Sequence, residues 1–200
     1  QLAVDGPRPA SLGSIRITSV LADSDGPTIG GLGAASAKDD GSFELKGLTG
    51  LRLIRLGNAP PGWTLKSVKL NGTDITDTGA EFKPGETTSG LEVELTNRST
   101  SVNGSVTASD GSLLKDYTVV IFSETPEQWR FPMTRWVTGT RPDQDGRFKV
   151  DSLPAGNYLA VAVDYVPQGE WGDPELLDRL KSKAKHFTLG DGATQTLDLK

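Results

Sequence analysis

The chain contains no cysteine and only one histidine among its 200 residues. The missing cysteines exclude a disulfide framework, a thiol nucleophile and a cysteine-ligated metal site. Long apolar runs are missing too, since stretches such as 159–163 are far shorter than the roughly 20 residues of a membrane-spanning helix. Acidic residues outnumber basic ones by 26 to 21, and the formal net charge is −5. Because nucleic-acid binders usually carry a basic excess, we expect no nucleic-acid partner.

Turn-forming residues are abundant, with 24 glycines and 12 prolines. Asp-Gly and Asn-Gly pairs recur along the chain, and such pairs supply the positive φ angles of tight hairpins. Between them lie short segments of alternating apolar and polar residues, such as Leu91–Leu95, which are typical of half-buried antiparallel strands. Tyr117–Phe122 and Tyr158–Val163 are almost continuously apolar and are predicted as central strands covered on both faces. The sequence therefore predicts an all-β protein built of antiparallel β-sandwiches.

An internal repeat divides the chain. The segment Asp40–Leu48 matches Asp145–Leu153 at an offset of 105 residues, and apolar positions elsewhere keep the same offset. We interpret this as two tandem copies of one domain, with boundaries at 1–98 and 99–200, each of ordinary domain size. The junction between them is short and has no Gly- or Pro-rich linker.

The first copy is expected to begin with a truncated strand. At the repeat offset Gln1 corresponds to Val106, and the second copy has the additional residues Ser101–Ser105 before that point. Residues that precede Gln1 in a longer protein are therefore expected to complete the sheet. The first residues also lack the basic and apolar pattern of a secretory leader, so any targeting segment is expected outside this chain.

One segment, 173–184, departs from the strand pattern and is predicted as a short helix in the second copy. Asp173 is a good N-cap, and Pro174 suits the first turn. Apolar residues recur at intervals of four from Leu176, and acidic side chains precede basic ones, as the helix dipole favours. We expect this helix to cover an edge or an end of the second sandwich.

A two-part motif in the second copy resembles a known family signature. Asp145-Gly146-Arg147-Phe148, followed by Leu153-Pro154-Ala155-Gly156-Asn157-Tyr158, resembles the signature of carboxypeptidase regulatory-like domains, which are small transthyretin-like (prealbumin-like), Ig-like β-sandwiches. The first copy keeps Asp40, Gly41 and Phe43 but diverges in the second part. The resemblance implies a non-catalytic accessory module that stiffens, spaces or binds within a larger secreted or cell-envelope protein of a bacterium.

Motifs for catalysis are weak, and we predict no catalytic residue, no metal ligand and no cofactor. Ser112 and Lys115 have the spacing of a Ser-x-x-Lys nucleophile, but they follow a turn and lack the partner motifs of such enzymes. Asp143–Gly146 lacks most ligands of a calcium loop and is interpreted as a hairpin turn. His186 is expected to have a surface role. A carboxylate-based hydrolase is the remote alternative, because an acidic protein offers many carboxylate pairs.

A long connection in the second copy, 123–146, concentrates aromatic and basic side chains. The predicted ligand-binding residues are Trp129, Arg130, Arg135, Trp136 and Arg141. Aromatic residues with Arg are typical of interaction surfaces, and flat Trp faces stack on sugars. The alternative interpretation places both Trp rings in the packing. We expect a structural or protein-interaction module whose partners are the rest of a larger protein and a protein ligand. A carbohydrate-binding module that uses these residues, with Tyr165 or Trp171, is the alternative.

Overall fold

The computed structural model describes residues 1–22, 33–129, 134–167 and 169–200. This part of the chain forms two compact units, Gln1–Arg98 (unit 1) and Ser99–Lys200 (unit 2). Strands dominate both units, and the one α-helix of the described residues has eight residues and lies in unit 2. The fold class predicted from the sequence, an all-β protein with one short helix in its second half, is confirmed.

Unit 1 is a sandwich of two four-stranded sheets. Its strands are β1 (Leu2–Asp5), β2 (Arg16–Leu21), β3 (Ala34–Ser36), β4 (Gly50–Asn58), β5 (Thr64–Leu70), β6 (Thr73–Asp74), β7 (Ala80–Phe82) and β8 (Leu91–Thr96). One sheet has the order β1-β8-β5-β6 and the other the order β3-β2-β4-β7. Ile17 and Ile54 of one sheet and Val68 and Val93 of the other are fully buried in a common core. The apolar faces of both sheets are thereby removed from water.

Unit 2 is also a sandwich of two sheets. Its elements are β9 (Ser101–Val106), β10 (Thr118–Ser123), β11 (Val137–Thr140), β12 (Arg147–Asp151), β13 (Gly156–Val163), α1 (Pro174–Lys181), β14 (Lys185–Leu189) and β15 (Thr194–Leu199). The sheets have the orders β12-β9-β15 and β11-β10-β13-β14. Val102 and Phe148 of the first sheet pack with Ile121 and Tyr158 of the second in one buried core.

The helix covers the outer face of the second sheet of unit 2. Leu177 of α1 is fully buried in a cluster with Val120, Phe122, Leu159 and Val161, which lie on the side of β10 and β13 that faces away from the sandwich core. The expectation that the helix would cover an edge or an end was wrong. Both central strands are apolar on both sides, so their second face also needs a cover, and α1 supplies it.

The first and last strands of each unit pair in parallel. Strand β1 pairs with β8 from Leu2↔Val93 to Asp5↔Thr96, and β9 pairs with β15 from Ser101↔Thr194 to Val106↔Leu199. In unit 2, β9 also pairs antiparallel with β12 and so lies in the middle of its sheet. Every other ladder between the strands described here is antiparallel.

Candidate functional site

Trp129, the first of the predicted ligand-binding residues, is part of the packing of unit 2. It closes a 3₁₀ turn, Pro126–Trp129, and only 4% of it is exposed. Its ring meets Phe122 edge-on with the centroids 5.4 Å apart, and its Nε1 donates a hydrogen bond to the carbonyl oxygen of Ser123 at 2.8 Å. A buried indole with a satisfied N–H has no free face for a ligand.

Trp136 lies just before β11 and is partly buried at the margin of the core. Its ring stacks on Tyr158 at a centroid distance of 5.9 Å, and Tyr158 stacks on Phe187 at 5.6 Å. The guanidinium carbon of Arg135 lies 5.6 Å from the centre of the Trp136 ring, a cation–π contact. This row of rings holds Trp136 against the sheet, so Trp136 and Trp129 do not form one open platform.

Arg130 lies outside the described residues. Arg141, the last of the five predicted residues, follows β11 and takes part in a different surface. Its guanidinium carbon lies 4.9 Å from the centre of the Tyr165 ring. Tyr165 is 63% exposed, more than any other large hydrophobic residue in the described ranges. The structure therefore places Arg141 with Tyr165, away from Trp129.

A groove of about 480 Å³, the Tyr165 groove, lies beside this contact and is lined by Thr118, Gly139, Thr140, Arg141, Tyr165, Val166 and Trp171. Strand pairing explains why these residues meet. Strand β10 lies between β11 and β13, with Val119 opposite Thr140 and Thr118 opposite Val163. Arg141 and Tyr165 therefore follow their strands at the same end of the sheet. Both residues are candidates from the sequence alone, but their common surface follows only from the strand order.

Trp171 forms one wall of the groove and rests on the backbone of Gly139. A Cβ atom added at position 139 would lie 2.4 Å from Cδ2 of Trp171, which is closer than such contacts allow. Glycine therefore permits the close approach of the indole ring to β11. Trp171 is partly buried and belongs to a 3₁₀ turn, Glu170–Gly172. The groove thus has one fixed aromatic wall and one exposed aromatic side chain.

The polar side chains considered for catalysis or metal binding already make hydrogen bonds, either within turns or on the surface. Asp143 Oδ1 accepts hydrogen bonds from the backbone N–H groups of Asp145 and Arg147, both at 2.9 Å. Ser112 Oγ donates to Asp110 Oδ1 at 2.6 Å, and this bond, with a backbone N–H bond, holds the pKa of Asp110 below its ordinary value. His186 Nδ1 lies 2.5 Å from Glu124 Oε1 on an exposed surface.

In the four described ranges, no group of three or more His, Asp or Glu side chains is placed to hold a metal ion. None of the helices found there has the length and apolar character needed to cross a membrane.

The chain matches no protein-family model and no curated protein. Among solved structures it is similar to the TIE protein of Bacillus anthracis, with 17% identity and a TM-score of 0.35, over 100% of this chain and 32% of that one. It is also similar to the shaft pilin SpaA of Lactobacillus rhamnosus GG, with 10% identity, a TM-score of 0.32, and coverage of 100% and 96%. A third is the minor pilin GBS52 of Streptococcus agalactiae, with 9% identity, a TM-score of 0.32, and coverage of 99% and 92%.

The chain spans about a third of the length of the TIE protein. At these identities and TM-scores, the similarities assign neither a family nor a function to the chain. The class that its own strand order and cores define is an all-β protein of two β-sandwich units.

Proposed function

We propose that the chain consists of two tandem copies of one transthyretin-like β-sandwich and acts as a non-catalytic structural module of a larger secreted or cell-envelope protein. The common strand order supports the tandem interpretation. In unit 1 the central pair β2-β4 is flanked by β3 and β7, and in unit 2 the central pair β10-β13 is flanked by β11 and β14 in the same way. Each unit also pairs its first strand in parallel with its last.

The parallel pairing of terminal strands is the observation that carries the structural role. Ser101 opens β9 at one end of the ladder, and Leu199 closes β15 at the other end. Tension applied through the two ends of unit 2 therefore loads the ladder in shear. All hydrogen bonds between the two strands must then yield together, whereas in a peeling geometry they yield one pair at a time. A module that joins parts of an extended protein benefits from this resistance.

Single-molecule force measurements test the proposal, and the absence of native cysteine allows handles at chosen thiols. The shear pair is Ser99→Cys with Lys200→Cys. The matched control is Ser99→Cys with Asp191→Cys, because residue 191 precedes β15 on the same side as the start of β9. We expect unit 2 to unfold at severalfold higher force in the shear pair. Equal forces in the two geometries would contradict a tension-resisting role, since forced unfolding depends on the unfolding barrier along the loaded direction.

Carbohydrate binding at the Tyr165 groove is the second candidate. The observation that favours it is the combination of exposed Tyr165, the Arg141 guanidinium over its ring and the indole of Trp171 on one concave surface. Aromatic faces with a few polar groups are typical of small-ligand sites. The ligand-binding residues of this candidate site include Arg141 from the sequence prediction, and Tyr165 takes the place of the buried Trp129.

Intrinsic Trp fluorescence tests this candidate, with Trp171 as the reporter in the groove. Wild type, Tyr165→Ala and Leu113→Ala are each titrated with a panel of soluble polysaccharides. Leu113 is the matched control, because its side chain is also exposed in unit 2 but lies outside the groove. We expect a saturable shift that is lost in Tyr165→Ala and kept in Leu113→Ala. No shift with any polysaccharide rejects carbohydrate binding and leaves the structural role standing.

A further inference from the structure

Among the described residues that line the Tyr165 groove, Arg141 is the only charged one. Its side chain is exposed, and its guanidinium carbon lies 4.9 Å from the centre of the Tyr165 ring. In the described part of the chain, no carboxylate pairs with Arg141, and its guanidinium donates no hydrogen bond. The N–H donors of Arg141 are therefore available to an anion in the groove.

The contact with Tyr165 prepares the guanidinium for a planar anion. Because the cation–π contact restricts the long side chain, less conformational entropy is lost when a ligand binds. The planar fork of N–H groups matches the two oxygens of a carboxylate, which accept a pair of parallel hydrogen bonds. Arg141 therefore provides a site for one carboxylate at the edge of the groove.

Two aromatic side chains stand beside that site. Tyr165 remains 63% exposed although Arg141 lies over its ring, and Trp171 is held on the backbone of Gly139 as a wall of the groove. The apolar C–H faces of a sugar ring can pack on such aromatic surfaces, as ligands do in sites that combine aromatic walls with a few polar groups. A sugar ring that carries a carboxylate fits both features.

A buried hydroxyl group also borders the groove. Thr118 lies on the same face of β10 as Val120 and Phe122, because side chains alternate along a strand, and it is only 1% exposed. Its Oγ1 has no hydrogen-bond partner among the described residues. A buried hydroxyl without a partner is rare, because its desolvation costs free energy. A ligand with hydroxyl groups can supply the partner that the chain does not.

The charge of unit 2 restricts how acidic the ligand can be. Residues 99–200 contain 14 acidic and 11 basic side chains, so the unit as a whole repels a densely charged polyanion. Arg141 offers one positive charge in the groove. A single carboxylate on an otherwise neutral saccharide matches that charge better than a phosphate monoester, which carries nearly two negative charges.

We propose that the Tyr165 groove binds a uronic acid residue of an otherwise neutral glycan. The sugar ring packs on the aromatic walls, its carboxylate accepts two hydrogen bonds from Arg141, and one of its hydroxyl groups bonds to Thr118 Oγ1. This inference rests on the carbohydrate-binding candidate of the proposed function and adds the class of sugar and the residue that selects it. It is independent of the force resistance of the parallel strands.

Nuclear magnetic resonance titration of the full chain tests the ligand class. The methyl glycosides of glucuronic, galacturonic and mannuronic acid are compared with those of glucose, galactose and mannose, which carry a primary alcohol in place of the carboxylate. The backbone amides of Gly139, Arg141 and Val166 report on the groove. We expect saturable shifts with at least one uronoside and about tenfold weaker binding of its neutral counterpart, because the neutral sugar leaves the arginine fork unpaired.

The outcomes separate this inference from the carbohydrate candidate on which it rests. Equal binding of acidic and neutral sugars would overturn uronate binding and leave carbohydrate binding standing. The absence of shifts with every uronoside would overturn uronate binding, whatever the polysaccharide titration shows. Sodium acetate that binds as tightly as the uronosides would overturn the sugar as ligand and assign the groove to carboxylates in general, including those of acidic peptides.

Variants test the role of Arg141. Arg141→Gln removes the charge and Arg141→Lys removes only the planar fork, whereas Arg147→Gln is the matched control, because Arg147 is exposed in unit 2 but lies outside the groove. We expect the preference for the uronoside to disappear in Arg141→Gln, to weaken in Arg141→Lys and to remain in Arg147→Gln. A preference that survives in Arg141→Gln would overturn the proposal.

Thr118→Val tests the buried hydroxyl with little change of shape. We expect binding of the uronoside to weaken severalfold while the midpoint of urea denaturation does not fall, since a hydroxyl without a partner in the chain does not stabilise the fold. Unchanged binding in Thr118→Val would overturn the proposed orientation of the sugar.

Discussion

At the scale of single residues, a cluster of charges ties the first strand of unit 1 to its neighbours. Lys66 Nζ donates to Asp5 Oδ2 at 3.0 Å and to Glu94 Oε1 at 3.1 Å, and Arg98 donates to Asp5 Oδ1 at 3.1 Å. The hydrogen bond from Lys66, with Arg98, holds the pKa of Asp5 below its ordinary value of 3.8. The bond to Asp5 likewise raises the pKa of Lys66 above 10.5. Asp5 and Lys66 therefore stabilise unit 1 in their charged forms.

The direction of the Asp5 pKa predicts the pH dependence of unit 1. The unfolded chain binds a proton at Asp5 more readily than the folded unit, so the stabilisation is present above the ordinary pKa and is lost as the pH falls through the lower, folded pKa. We expect the midpoint of thermal unfolding to fall between about pH 5 and about pH 3, and to fall less steeply in Asp5→Asn. Glu81→Gln, which removes an exposed carboxylate outside the cluster, serves as the control and should keep the wild-type slope. Equal slopes for Asp5→Asn and wild type would assign the pH dependence to other carboxyl groups.

Single residues also mark the limit of what could be predicted about the candidate site. Trp129 was predicted to bind a ligand because Trp together with Arg is typical of binding surfaces. In the structure its ring instead helps to cover the apolar outer face of β10 and β13. Arg141 and Tyr165 are 24 positions apart in the sequence. They meet because β11 and β13 both pair antiparallel with β10, so that both strands end at the same end of the sheet. Composition identifies the types of residue at such a site, whereas strand order decides which of them share it.

At the scale of elements, local signals predict a helix more reliably than a strand, because a strand also needs a partner from a distant part of the chain. The α-helix begins at Pro174, after the predicted N-cap Asp173, and it ends at Lys181 before the predicted end at residue 184. The helix makes its own hydrogen bonds, so its start depends on local sequence. Residues 43–46 have an equally clear strand pattern but pair with no strand among the described residues, and a strand forms only when another strand pairs with it.

The cap of the helix gives a prediction at this scale. Asp173 Oδ1 accepts a hydrogen bond from the backbone N–H of Glu175 at 2.9 Å. Asp173→Ala leaves that donor without its partner and is expected to lower the free energy of unfolding of unit 2 by about 1 kcal/mol. Asp173→Ser retains a capping oxygen and should cost much less. Urea denaturation followed by far-ultraviolet circular dichroism measures both variants, and an equal loss in the two would show that the cap contributes little.

At the scale of the whole molecule, each unit has its own core. The clusters that contain Phe148 and Leu177 draw all their buried members from residues 99–200, and the cluster that contains Ile17 draws its members from residues 1–98. Unit 1 differs from unit 2 in that Phe43 and Leu45 are less buried than their counterparts Phe148 and Val150. Less apolar burial gives less stabilisation, so we expect unit 1 to be the less stable unit.

Separate cores predict that unit 2 folds without unit 1. A chain of residues 99–200 contains every strand of both its sheets, both of its apolar clusters and the covering helix. We expect this fragment to unfold cooperatively, as single domains of its size usually do. Leu177→Ala opens a cavity beneath the helix and should lower the free energy of unfolding by about 2–5 kcal/mol, equally in the fragment and in unit 2 of the full chain. Urea denaturation followed by Trp fluorescence measures both, because the fragment retains Trp129, Trp136 and Trp171. A disordered fragment, or a much larger effect of Leu177→Ala in the full chain, would show that unit 2 depends on unit 1 for its stability.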